Sequence, residues 1–132
     1  MKIPYVNLNK QWNLEKKKIL KIIDNIASKN LWVGGEEVQK FEKNIAKVCK
    51  TKYAVALNSG TDALTLGLFS LGVKRGDEVI TTSNSFVASA ATIVHLGAIP
   101  VFVDVLNNQL IDHTKIESKI NKKTKAIMLV QL

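Results

Sequence analysis

The sequence predicts an α/β fold, in which an N-terminal helical segment is followed by βαβ units of a mainly parallel sheet. Three observations point to it. From Tyr53 onward, short apolar runs alternate with stretches whose apolar residues recur at helical spacing. Runs such as Val79-Ile80 and Val101-Phe102-Val103 have no polar face, the mark of strands covered on both sides, as parallel sheets are. Glycines at 72, 76 and 97 punctuate the alternation where a helix must stop or the chain must turn.

Residues 3–9 read as extended, because Pro4 biases its neighbour away from the helical region. Residues 12–27 make the first predicted helix, with Trp12, Leu14, Ile19, Ile22, Ile23 and Ile26 opposed to a polar face of Lys16, Lys17, Lys21 and Asp24. Leu31-Trp32-Val33-Gly34-Gly35 breaks that pattern. A second helix spans residues 36–49, with Val38, Phe41, Ile45 and Val48 as its stripe and Glu36 and Glu37 in the first turn, where the helix dipole favours them. Residues 53–57 read as a buried strand, and 63–71 as a helix stopped by Gly72. Arg75-Gly76-Asp77 is a turn before a strand at 78–82. A small-residue helix at 86–96 ends at Gly97, followed by a strand at 100–105, a short helix at 113–120 and a strand at 126–131. Crossovers between the parallel strands should be right-handed. Two parts are expected: 1–52, extended and helical, and 53–132, bearing the sheet.

At 132 residues and 46% hydrophobic content, about one domain with a real core is expected. The net charge of +8 comes mainly from scattered lysines. Lys16-Lys17-Lys18 and Lys122-Lys123-Thr124-Lys125 lack interleaved aromatics, so they read as solvated faces and not as a nucleic-acid surface. One cysteine, Cys49, excludes an internal disulfide and reads as a packing residue at a helix end in a reducing compartment. His95 and His113 are too few and too separated for a metal site. The N-terminus has no apolar run with a cleavage site, and the apolar stretch 86–106 is interrupted by His95, Pro100 and Asp104. A cytoplasmic protein without a membrane partner is the expectation.

The rest of the chain is arranged around Asn58-Ser59-Gly60-Thr61-Asp62-Ala63-Leu64. At the start of a helix the first N–H groups lack intrahelical partners, and the dipole adds roughly half a positive charge. A phosphate suits that end. Gly60 lets backbone approach an anion, and the hydroxyls of Ser59 and Thr61 can cap the helix or donate to an oxygen. From these seven residues alone, an ordinary capped helix with nothing bound is the commoner reading. In a parallel sheet, the loops at 59–62 and 83–86 and the segment after Asp104 share the carboxyl edge, where ligands bind. Phe86, in an otherwise small and polar loop, could face a planar ring or simply anchor a helix start. Asp104 is no dinucleotide ribose ligand, since G-x-G-x-x-G is missing, and no Gly-Lys-Ser/Thr marks a Walker loop.

An ordered series of blocks resembles the opening third of the DegT-type sugar aminotransferases, pyridoxal phosphate enzymes of fold type I. The blocks are Ile3-Pro4-Tyr5-Val6-Asn7-Leu8, Gly35-Glu36-Glu37-Val38-Gln39-Lys40-Phe41-Glu42, Asn58 to Leu64 as quoted above, Gly76-Asp77-Glu78-Val79-Ile80-Thr81, Ser85-Phe86-Val87-Ala88-Ser89-Ala90 and Gly97-Ala98-Ile99-Pro100-Val101-Phe102-Val103-Asp104. The likeness spans nearly the whole chain. It departs at Gly34-Gly35-Glu36, where the family has Gly-Pro before Glu-Val.

The resemblance implies that residues 53–132 are part of a pyridoxal 5'-phosphate-binding large domain. Backbone donors of Gly60, Thr61 and Asp62 and the Thr61 hydroxyl would cup the cofactor phosphate, and Phe86 would stack on the pyridine ring. It implies transfer of an amino group from an amino-acid donor, glutamate, to a nucleotide-linked keto sugar, in a homodimer with the 32–35 turn near the partner. The lysine that bonds the cofactor and the acid at the pyridine nitrogen would lie beyond Leu132. The chain is therefore expected to be a fragment, inactive by itself, and no catalytic residue is assigned. Histidine in place of that lysine would instead make a sugar dehydratase. A non-catalytic phosphate-binding α/β module is the remaining alternative.

Overall fold

The computed structural model describes residues 5–131. The extended reading of residues 3 and 4 lies outside them. The chain divides into two compact units, Met1–Ala56 and Leu57–Leu132.

The first unit holds two helices, α1 (Leu8–Ser28) and α2 (Glu36–Val48). Helix α1 begins four residues before the expected Trp12, because the Asn7 side chain accepts the Lys10 N–H at 3.0 Å and caps an earlier start. Residues 8 and 9, expected as extended, are therefore helical. At its far end Asn30 takes a left-handed backbone (φ 55°), which lets the Leu31 N–H reach the Ile26 carbonyl at 3.2 Å. Helix α2 begins after Gly35, and Lys40 pairs with Glu37 (3.0 Å) and Glu36 (3.5 Å). Of α2 only Ala46 is buried, and of α1 nothing. Cys49, expected to pack, is exposed, because it caps the C-terminal end of α2.

Residues 53–57 are not a strand. A strand exists through its ladder, and none of the described strands pairs with this segment; the Ala56 N–H is held instead by Glu42 Oε1 at 2.9 Å.

The second unit is a three-stranded parallel sheet, β1 (Glu78–Thr82), β2 (Ile99–Val103) and β3 (Thr124–Met128), in the order β2-β1-β3. Helix α3 (Gly60–Ser70) precedes β1, and α4 (Ala88–His95) crosses from β1 to β2. Strand β1 is central because both its faces are apolar or hydrogen-bonded. Val79 joins Leu68, Val73, Ile93, Ala98 and Met128 on the helix side, while Ile80 joins Val103 and Ile111 on the other. Thr81, fully buried, donates its hydroxyl to the Met128 carbonyl at 3.1 Å. Edge strands β2 and β3 stay partly exposed.

The expected helix at 113–120 is two 3-10 turns, His113–Lys115 and Glu117–Lys119. Asp112 caps the first through the Thr114 N–H (3.1 Å) and hydroxyl (2.6 Å), and the second turn closes before α geometry is established.

Candidate functional site

The site forms where α3 starts and the loop after β1 returns. Ser59, extended (φ −151°, ψ 155°), is the N-cap of α3. Its hydroxyl accepts the Asp62 N–H at 3.1 Å and donates to Asp62 Oδ2 at 2.9 Å, a closed reciprocal cap. The cap engages the third N–H of the helix and the single Ser59 hydroxyl proton. The two N–H groups ahead of it, on Gly60 and Thr61, make no hydrogen bond to the described residues, and the dipole concentrates positive potential there. A Cβ built on Gly60 meets no atom within 4 Å, so the backbone at this point is open to a ligand.

A cavity of about 510 Å³ opens beside these amides, lined by Gly60, Thr61, Leu64, Ser85, Phe86, Ala88, Ser89 and Val130. Three of the four candidate site residues, Gly60, Thr61 and Phe86, therefore share one wall system. Asp62 lies on a different cavity of about 150 Å³, with Thr61, Thr65, Ala91, Thr92 and His95. Its amide, expected as a phosphate donor, is the one held by Ser59.

Phe86 is 75% exposed, an aromatic face unburied by core. Its loop is fastened behind it: Ser85 Oγ and Ser89 Oγ lie 2.6 Å apart, and the Phe86 carbonyl accepts the Ser89 N–H at 3.0 Å. None of the lining residues is charged, so any attraction for an anion comes from the helix start. Size and polarity suit a group with a flat apolar body and one anionic tail.

Sequence reasoning did not single out Ser85 and Ser89 as a pair, nor Val130. Val130 follows β3 at the carboxyl edge, so the sheet-edge rule could have found it. Asp104 is not on this cavity; its carboxylate accepts the Val105 N–H at 2.8 Å and its carbonyl the Asp112 N–H at 2.8 Å. Among the described residues no three His, Cys, Asp or Glu side chains are grouped to hold a metal, and no helix is long and apolar enough to cross a membrane.

Comparison with known proteins gives this geometry its context. The sequence model of the DegT/DnrJ/EryC1/StrS aminotransferase family matches residues 13–132. A dTDP-3-amino-3,6-dideoxy-alpha-D-galactopyranose transaminase of Aneurinibacillus thermoaerophilus is 39% identical over 132 residues, covering 98% of this chain and 36% of the relative. The Bacillus subtilis protein NtdA, solved with bound cofactor PMP, superposes with a TM-score of 0.93 at 34% identity, over 99% of this chain and 31% of that one. A GDP-4-keto-6-deoxymannose-3-dehydratase superposes with a TM-score of 0.79 at 30% identity, over 86% of this chain and 31% of that one. The chain thus spans about a third of the length of the curated relatives it matches. The fold is that of about a third of the length of pyridoxal phosphate aminotransferase chains, and the chain belongs to the DegT/DnrJ/EryC1/StrS aminotransferase family.

Proposed function

We propose that this chain supplies the phosphate grip and ring wall of a pyridoxal 5'-phosphate enzyme that moves an amino group from an amino acid, glutamate, to a nucleotide-linked keto sugar. The observation that carries the reading is the meeting of the free Gly60 and Thr61 amides with the exposed Phe86 ring on one cavity. The residues fit the cofactor by chemistry: two amides at a helix start for the phosphate, and an aromatic face for a planar ring. Bound there, the cofactor would supply the electron sink through which an amino group is accepted and passed on.

The residues of this chain do the holding. Gly60 and Thr61 donate N–H groups to the phosphate, with the Thr61 hydroxyl as a third donor. Asp62 contributes through the cap that fixes the first turn of α3. Phe86 orients the ring and keeps water from one of its faces. No lysine lines the cavity, so no proton-transfer role is assigned within these residues. On this reading 53–132 is part of the cofactor domain, the lysine that bonds the cofactor comes from outside these 132 residues, and the chain alone is inactive. A homodimer in the cytoplasm suits the exposed Trp32 and Val33 of the first unit and the free Cys49 thiol. The dehydratase likeness favours one second reading, the same cofactor used to remove a sugar hydroxyl. Incubating the full-length polypeptide with a keto sugar nucleotide and glutamate separates the two: one product carries nitrogen in place of the keto oxygen, the other lacks a hydroxyl and carries no added nitrogen.

The test of the grip is Gly60→Val in the full-length polypeptide. A side chain at this open position projects to where an anion must come, while nothing nearby opposes it in the folded chain. Losing one charge-assisted hydrogen bond, at ~1.5 to 3 kcal/mol, weakens cofactor affinity by at least about tenfold, with little change in the melting temperature. Affinity unchanged by the valine would overturn the assignment of the turn.

A further inference from the structure

The loop that carries Phe86 is tied to a part of the chain that does not reach the cavity. Asn84, two residues before Phe86, donates its side-chain amide to Gln109 Oε1 at 2.7 Å, across 25 positions of sequence. The other attachment of Asn84 is its own N–H, donated to Thr82 Oγ1 at 3.3 Å. Gln109 stands at the tip of a narrow hairpin between β2 and the first 3-10 turn. Val105 bridges Ile111, the Leu106 N–H reaches the Leu110 carbonyl, and the Gln109 N–H reaches the Leu106 carbonyl, both at 2.8 Å. Ile111 roots the hairpin in the core against Ile80 and Val103. Gln109 takes a left-handed backbone (φ 67°), as the residue that follows the turn of a short hairpin loop does, which sets the direction of its side chain. The Asn108 side chain also accepts the Leu110 N–H at 3.1 Å, so the tip is a fixed post, and the Gln109 side chain bonds the loop that holds the aromatic.

We propose that Gln109 is a positioning residue: through Asn84 it holds the 83–86 loop so that the Phe86 ring is already in place at the cavity wall before a ligand enters. The inference rests on the reading of the cavity as the cofactor site, but its mechanical half does not. Pre-placing the ring spares the ligand the entropy of ordering the loop. Without the tie the loop keeps the Ser85–Ser89 contact, the Ser89 N–H bond to the Phe86 carbonyl and the weak bond of Asn84 to Thr82.

Gln109→Met removes the acceptor and keeps length and backbone geometry; Gln109→Glu keeps an acceptor oxygen. Amide hydrogen exchange in the cofactor-free full-length polypeptide reads the tie directly. In the methionine variant, exchange at residues 83–86 should quicken about threefold to tenfold, the effect of one neutral hydrogen bond, while the amides of β1 keep their rates. Glutamate should restore the slower rates. With cofactor added, the methionine variant should bind about threefold to tenfold more weakly and show a smaller induced circular dichroism of the ring, both rescued by glutamate. Exchange at 83–86 unchanged by methionine overturns the inference and leaves the cofactor reading standing. Faster exchange with unaltered affinity and dichroism also overturns it, since the tie would then not act on the ring. Failure of the unsubstituted polypeptide to bind the cofactor at all would instead overturn the proposed function.

Discussion

Asp112 shows how much a single side chain organises here. Almost fully buried at 6% exposure, it accepts the Thr114 hydroxyl and N–H and the Lys115 ammonium at 3.0 Å. The Thr114 hydroxyl bond first, and the Lys115 ammonium second, hold its carboxyl below the ordinary carboxylate range, and the Asp112 carboxylate raises the Lys115 ammonium in turn. A folded value below the unfolded one means that the stabilisation is complete above the unfolded carboxylate value of about 4 and is lost as pH falls through the lowered one. The neutral variant Asp112→Asn has no such dependence. The stability difference between the two, from urea unfolding, should be largest near neutrality and shrink below about pH 4. A gap that stays constant across that range would show that the carboxylate is not held by its charge. The Ser59 hydroxyl does for α3 what the Asp112 carboxylate does for the 3-10 turn, each accepting an N–H of the first turn.

At the level of elements, the sheet depends on its middle strand. Ile80 is fully buried between Val103 and Ile111, so Ile80→Ala should cost about 2 to 5 kcal/mol of unfolding free energy, whereas Phe102→Ala on the half-exposed edge strand β2 should cost under about 1 kcal/mol. Comparable losses at the two sites would mean that β1 is not the centre of the core. The same asymmetry explains what the sequence disclosed. Residues 78–82 were legible as a strand because burial on both faces leaves an unbroken apolar and hydroxyl run, and α2 because its stripe and acidic first turn agree. The start of α1 was not, since Pro4 suggested extension while the Asn7 cap, a side-chain event, decided the boundary. Residues 113–120 have helical composition, yet their geometry followed the Asp112 cap. The 53–57 segment has strand composition but pairs with no strand among the described residues, and composition does not reveal a ladder. For the candidate site, the polar turn and the lone aromatic stood out at 60, 61 and 86. The Ser85–Ser89 pair and the tie to Gln109 leave no mark in the sequence, because they join residues whose types are ordinary for loops.

Across the whole molecule, the balance of apolar surface is uneven. Helix α3 is apolar nearly all round, the pattern of a helix meant to be covered on every side, yet Leu66, Phe69 and Leu71 are exposed and only Leu68 is buried. On α1 and α2, Trp12, Leu14, Leu20, Ile22, Phe41 and Val48 are exposed as well. Surfaces this rich in exposed apolar side chains are associated with binding or with aggregation. The net charge of +8 opposes association only weakly once salt screens it, because the Debye length is about 8 Å at physiological ionic strength. The 132-residue chain by itself should therefore bind an apolar fluorescent dye and sediment as species heavier than 14.6 kDa, increasingly so as salt rises. Within the full-length polypeptide the same side chains should be shielded, and dye binding per chain should fall. A monodisperse 14.6 kDa monomer with no dye signal would mean that the exposed helix faces find cover within these residues, and that the family's remaining length is not needed to stabilise them.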